Sequence, residues 1–237
     1  MRSENNQLLE PYPLSVMRKI LDCVEKTQNI RVDISHIPLD DKKTLDLFRN
    51  GDTDGVFGFD APDIQEYSKQ LKPDNFDELM ILGALCGPAR AFRPATSDLI
   101  TEYIDRKWGE CGYDGIHPDV EQLILPTRGM IIYQEQVTEI LCKITGYPPE
   151  NAEEVRHILA KRNPEKLSKL KPEFIYWCVT RGYDRQITLQ IWDLLFIYAK
   201  HAVCKTLVSI YTFVAYQFVY LKAHYKSEFC SAITCAK

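Results

Sequence analysis

The chain has 237 residues, 45% of them hydrophobic, 11% aromatic and 26% charged. At roughly 150 residues per domain this makes about 1.6 domains, long enough to bury roughly 70% of the unfolded surface without a disulfide or a metal. The 13 Tyr, 10 Phe and 3 Trp exclude global disorder, the 11 Gly and 13 Pro exclude fibrous classes, and a net charge of −4 argues against a histone-like or polybasic nucleic-acid binder.

The opening stretch, MRSENNQLLE, has no apolar run of the kind a secretory leader needs, so none is read. From there the pattern is helical, with repeated start signals. Asp40 and Asp41 precede KKTLDLFRN, which stops at Asn50-Gly51, a side-chain cap at one end and a left-handed stop at the other. Pro62 opens DIQEYSKQL, and Asp74 precedes NFDELMILGAL. Thr96 or Ser97 starts DLITEYIDRKW, which ends at Gly109. Asn163, Pro164 and Glu165 supply a cap, a proline at the first helical position and an acidic first turn, in that order. GVFGF (55–59) and GMIIY (129–133) read as short extended segments. The fold class is mainly α, a multi-helical domain with a few short strands.

Residues 206–221, TLVSIYTFVAYQFVYL, carry no charge. Sixteen residues span roughly 24 Å as a helix, short of a hydrocarbon core of roughly 30 Å. Lys205 and Lys222 bracket the run, and Ser209, Thr212 and Gln217 interrupt it, so it is expected as a buried core helix and no membrane partner is expected. The eight cysteines (23, 86, 111, 142, 178, 204, 230 and 235) show no CxxC pair and read as reduced, structural thiols of a cytoplasmic protein.

Charge is segregated along the chain. Residues 31–80 hold 12 acids against 6 bases, whereas 155–172 hold Arg156, Lys161, Arg162, Lys166, Lys169 and Lys171 against Glu165 alone. Such a strip is either a solvated helix face or a surface that neutralises phosphates and releases counterions. Asn50, Asp52, Asp54 and Gly55 imitate the start of a calcium-binding EF-hand loop. Its twelfth position, which needs a bidentate glutamate, is Ala61, so these residues read as turn formers and no metal is assigned. The five histidines have no ligand spacing, and His224, beside a lysine near a helix end, reads as a cap. GxxxxGK[ST], GxSxG and GxGxxG are all missing. Self-contained catalysis finds no support in these residues.

The segments DDKKTLDLFRNGDTDGVFGFDA, LKPDNFDELMILGAL, YIDRKWGE, HPDVEQLILPTRGMIIYQEQV, AEEVRHILAKRNPEKLSK and VAYQFVYLKAHYKSEFCSAI follow one another in this order. Together they resemble the catalytic alpha subunit of bacterial replicative DNA polymerase III, the C-family polymerases. The resemblance runs from about Leu14 to the C-terminus, and YQEQV followed by YLKAHY is its most specific part. It implies a fingers domain over 14–237, with 1–13 a lead-in that is a palm remnant at most. The family's exonuclease-like domain, most of its palm and its clamp-binding regions have no counterpart in the chain.

The resemblance also implies roles. In the family, palm carboxylates hold two magnesium ions for phosphoryl transfer. Two of those carboxylates lie upstream of anything present here, and the register of the third falls on Gln7, a neutral amide and a poor magnesium ligand. The chain itself is therefore expected to bind no cofactor and to carry no catalytic residue, although the full family enzyme uses Mg2+. The basic run of the fingers corresponds to Arg156, His157, Lys161 and Arg162, and Arg106 and Lys107 are retained in YIDRKWGE. Lys205 matches the lysine of an Asn-Lys-Ser-His motif that reads Cys204-Lys205-Thr206-Leu207 here. An Arg-Pro-Gly-Pro turn has become Gly87-Pro88-Ala89-Arg90, with the guanidinium displaced by three positions. Arg156, Lys161, Arg162 and Lys205, with Arg106 and Lys107 secondary, are thus the expected contacts to DNA and deoxynucleoside triphosphate phosphates. A helical module that binds DNA alone, or one that docks other polymerase III subunits without a DNA role, stays open beside this reading.

Overall fold

The computed structural model describes residues 11–87 and 97–234, so Gln7, Cys235 and the Pro88-Ala89-Arg90 turn lie outside the described residues. Among the described residues the chain is mainly α. Twelve helices follow in order: α1 (Pro11–Gln28), α2 (Lys42–Arg49), α3 (Pro62–Leu71), α4 (Phe76–Leu85), α5 (Ser97–Trp108), α6 (Pro118–Ile124), α7 (Gln134–Thr145), α8 (Pro149–Lys161), α9 (Pro164–Thr180), α10 (Arg185–Tyr198), α11 (Lys205–His224) and α12 (Lys226–Thr234). No helix among the described residues is long and apolar enough to cross a membrane.

The start signals act through the expected atoms. Asp41 Oδ2 accepts the backbone N–H of Thr44 at 2.8 Å, satisfying one of the orphan donors of α2, and Gly51 takes φ +63° just beyond its end. Asn163 accepts the Lys166 N–H at 3.1 Å ahead of Pro164. In front of α4 the cap is Asn75 rather than Asp74. Its side chain accepts the Glu78 N–H at 3.0 Å, while the Glu78 carboxylate reaches back to the Asp74 N–H at 2.9 Å, a reciprocal capping box.

The two extended segments fare differently. Residues 55–59 form turns, because Gly55 and Gly58 take φ +74° and +73°, outside the strand region. The turns are closed by the Thr53 hydroxyl donating to the Phe59 carbonyl. Residues 129–133 yield one isolated parallel bridge, Tyr133 to Val203.

The chain divides into two compact units. One holds the described residues up to Gly83 together with those from Ser209 onward; the other is Ala84–Val208. In the first, α1 buries Val16, Ile20 and Val24, spaced four apart, and packs on α12. Phe48 of α2 lies 5.5 Å from Phe59 and 6.2 Å from Tyr216 of α11, and the Tyr216 hydroxyl donates to the Pro38 carbonyl at 2.9 Å. Burial pushes that phenol up to about 12. The uncharged run 206–221 is therefore core helix, as its length requires.

Two polar contacts in this unit carry long-range information. His224 Nε2 lies 3.1 Å from Asp41 Oδ2 rather than on a helix terminus. Lys222, with a side chain only 7% exposed, places Nζ 2.6 Å from Asp52 Oδ1, 3.1 Å from the Asp52 carbonyl and 3.3 Å from the Asp54 carbonyl. The oxygens that imitate a calcium loop thus surround an ammonium group.

Because Asp52→Ala leaves a buried ammonium with two carbonyl partners but no countercharge, it should lower stability by about 2 kcal/mol, a Tm fall of roughly 4–8 °C. Lys222→Met, which leaves a carboxylate that is 41% exposed and able to hydrate, should cost less. Thermal denaturation of both variants checks the order.

Candidate nucleic-acid interface

The second unit is built on α7, whose Val137, Ile140, Leu141 and Ile144 are buried against α6, α8 and α9. Its entry, YQEQV, is a chain of polar attachments. Gln136 Oε1 accepts the N–H groups of Ile132 and Tyr133, each at 2.9 Å, and its Nε2 donates to Thr127 Oγ1 at 2.8 Å and to the Leu123 carbonyl at 3.1 Å. The Gln134 N–H donates to the Val203 carbonyl at 2.8 Å. The Glu135 carboxylate accepts the Lys205 N–H, both oxygens at 3.0 Å. Lys205 is exposed at the first position of α11, with Nζ 5.4 Å from the Tyr133 ring centre.

The arginines expected at phosphates are fastened within the protein. Arg156 is 5% exposed; its Nε donates to Glu153 Oε2 at 2.8 Å, and Thr138 Oγ1 donates to the same oxygen at 3.0 Å. The Arg156 hydrogen bonds hold the Glu153 carboxyl down at about 2. Arg162 ends α8 in the left-handed region at φ +51°. Its guanidinium lies 4.4 Å from the Phe196 ring centre and donates to the Phe196 carbonyl at 2.9 Å, capping the end of α10. Arg106 donates to the Arg128 carbonyl at 2.8 Å, is paired with Glu102 and lies 5.3 Å from the Tyr113 ring centre. Lys107 Nζ lies 5.2 Å from the Trp108 ring centre.

The exposed cations gather at the α8–α9 turn. Lys161, Arg162, His157 and Lys166 line a cleft of 390 Å³, together with Glu154 and the Asn163-Pro164 cap. Lys161 and Lys166 are exposed, and Lys166 sits in the first turn of α9, where the helix dipole disfavours a cation. Nothing in the fold asks for a base at that place. Of the expected phosphate contacts, the consecutive residues Lys161 and Arg162 line this cleft. Arg156 is outside the cleft lining, Lys205 stands at the start of α11, and Arg106 and Lys107 stand at the end of α5.

A separate cleft of 410 Å³ is lined by Gln134, Glu135, Thr138, Glu139, Glu153 and Cys204. Its carboxylates lower the local positive potential around the neighbouring Lys205. Among the described residues no group of three or more His, Cys, Asp or Glu side chains is arranged to hold a metal ion, so the donors present there do not fit a magnesium pair. The seven described cysteines are free thiols, and burial pushes the Cys178 thiol up to about 12.

Sequence reasoning passed over Glu153, Glu135 and Phe196. Glu153 was findable, since it stands three residues before Arg156 on one helix face. Phe196 was not, because its carbonyl meets Arg162 across 34 positions.

Residues 13–182 match the family model described as the bacterial DNA polymerase III alpha subunit finger domain. The chain is similar to the DNA polymerase III subunit alpha of Staphylococcus epidermidis, with 34% identity over 220 residues, 93% of this chain and 20% of that protein. It is also similar to those of Escherichia coli K12, with 33% identity over 86% of this chain and 18% of that protein, and Aquifex aeolicus, with 30% identity over 91% and 18%. The chain spans about a fifth of the length of these curated relatives.

The Glu153–Arg156 pair predicts an acid limb to stability. Its carboxyl is depressed in the fold, so the contribution is fully present above the ordinary value of 4.5 and is lost as pH falls through about 2. Glu153 is 46% exposed, so solvent screening keeps the effect small. Tm measured from pH 5 downward should fall less steeply for Glu153→Gln than for the parent chain.

Proposed function

The chain belongs to the bacterial DNA polymerase III alpha subunit finger-domain family, and from that premise we propose that it contacts the phosphates of DNA and of a deoxynucleoside triphosphate in DNA replication without performing polymerisation itself. The observation that carries this reading is the cluster of exposed cations around the cleft at the α8–α9 turn. Lysine ammonium groups on flexible stems suit phosphate oxygens presented at varied angles, and each neutralised phosphate releases counterions. Lys161 and Lys166 make the contact. Arg162 holds the turn against α10 and offers its remaining donors to the cleft; Arg156 positions α8 through Glu153.

Lys205, Arg106 and Lys107 are secondary contacts in this proposal. Lys205 has its positive field opposed by Glu135, and Arg106 is engaged by Glu102 and the Arg128 carbonyl. The polymerisation chemistry of the family rests on carboxylates and magnesium in palm sequence. The proposed phosphate contact runs through ammonium and guanidinium groups alone. Other polymerase III subunits are proposed partners on the strength of the family.

Fluorescence anisotropy with labelled primer–template DNA tests the contact. Binding should weaken linearly in log–log form with salt, and Lys161→Glu and Lys166→Glu should each lower the slope by about 1. Arg156→Ala should lower Tm, whereas the two exposed lysine changes should leave it within about 1 °C. A flat anisotropy response at low salt overturns the reading.

The same chain, given magnesium, primer–template and all four deoxynucleoside triphosphates, should extend no primer. Robust incorporation would show that the chain itself supplies the catalytic carboxylates.

A further inference from the structure

α9 has a second concave side that phosphate contact leaves unused. Together with α10 it encloses a cleft of 710 Å³, within the usual range for a binding pocket. The apolar lining is largely aliphatic: Leu167, Ile175, Pro164 and Pro172. Its two aromatic residues offer little ring face to a ligand. Trp192 is 4% exposed with Lys171 Nζ 5.7 Å from its ring centre, and the Arg162 guanidinium lies over Phe196. Nucleobases need open aromatic faces for stacking, so this lining suits aliphatic or phenyl side chains better than bases.

The charged lining is Lys171 and Arg185 against Asp193. The Lys171–Asp193 pair is long, 3.9 Å, with side chains 42% and 67% exposed, so it is weak and readily displaced by another carboxylate. Arg185 is exposed in the first turn of α10, where the helix dipole disfavours a cation and the Asp184 cap already satisfies the terminus. Pro172, inside α9, has no N–H to give the Ser168 carbonyl, whose ordinary helical donor is therefore missing at the cleft wall. Two cations opposed by one exposed acid, over an aliphatic floor, together match one kind of occupant.

We propose that the α9–α10 cleft docks a short acidic segment of a partner protein, its apolar side chains seated on Leu167 and Ile175 and its carboxylates held by Lys171 and Arg185. The α9–α10 cleft shares only Pro164 with the lining of the α8–α9 cleft, so the docking uses other side chains than the DNA contact does.

The test uses the full chain and a pool of fluorescein-labelled peptides in which leucine, isoleucine or phenylalanine alternates with aspartate and glutamate. Anisotropy should rise at low salt with this pool and stay flat with its asparagine and glutamine counterpart. Arg185→Glu should weaken binding about tenfold, and Asp193→Lys, which removes the opposing acid, should strengthen it. Lys161→Glu should leave peptide binding unchanged while weakening DNA binding, which separates failure of this site from failure of the phosphate contact. A flat response from the acidic pool overturns the proposal. Equal or better binding of single-stranded DNA through Arg185 and Lys171 also overturns it, by making the cleft a nucleic-acid site.

Discussion

The buried carboxamide of Gln136 is the constraint from which the arrangement of the second unit follows. Its oxygen takes the N–H groups of Ile132 and Tyr133, and its nitrogen gives to Thr127 and Leu123, so all four backbone and side-chain partners are fixed by one group. Thr127 in turn donates to the Ile124 and Met130 carbonyls, closing the turn before the extended segment. With 130–133 held straight, Ile132 and Gln134 bracket Val203 through backbone hydrogen bonds. That bridge sets where α11 begins, and Glu135 then caps it at Lys205. A fully satisfied buried amide specifies geometry strongly because every alternative leaves polar groups dry.

This accounts physically for YQEQV, one of the two motifs on which the family resemblance rested. Each of its three polar residues fastens a different stretch of chain: Gln134 to Val203, Glu135 to Lys205, and Gln136 to the 123–133 segment. The YLKAHY motif acts likewise in the first unit, where Lys222 fills the Asp52 loop and His224 meets Asp41, the cap of α2. Both motifs hold helices in register.

Helices with local punctuation were legible in the sequence. Asp41, Pro62, Asn163, Gly51 and Gly109 mark ends by chemistry confined to a few neighbouring residues, and the uncharged run 206–221 was too short for a bilayer and became core. Residues 55–59 are turns rather than an extended segment because the positive φ of Gly55 and Gly58 decides the backbone there. The basic run was legible as charge, but the use of each cation was not. Arg156 pairs three residues back, a spacing a sequence shows, while Arg162 and Arg106 bond carbonyls 34 and 22 positions away. Long-range carbonyl acceptors have no sequence signature, since every residue carries one.

The division of labour between the two kinds of cation follows from their shapes. A guanidinium is a planar fork with five donors, and in this chain Arg106 and Arg162 give donors to backbone carbonyls beside aromatic rings, while Arg106 and Arg156 each hold a carboxylate. Such groups gain most where the acceptors are rigid and partly dry, which is where helix ends meet neighbouring helices. An ammonium is a strongly hydrated point charge whose stem costs entropy to immobilise; Lys222 is held inside by three oxygens, whereas a lysine without such a set gains more from hydration at the surface. Lys161, Lys166 and Lys205 are all exposed. A mildly acidic chain can therefore present a local cationic face without a basic composition: Arg106, Arg156 and Arg162 anchor the scaffold, and Lys161 and Lys166 stay exposed at the α8–α9 turn.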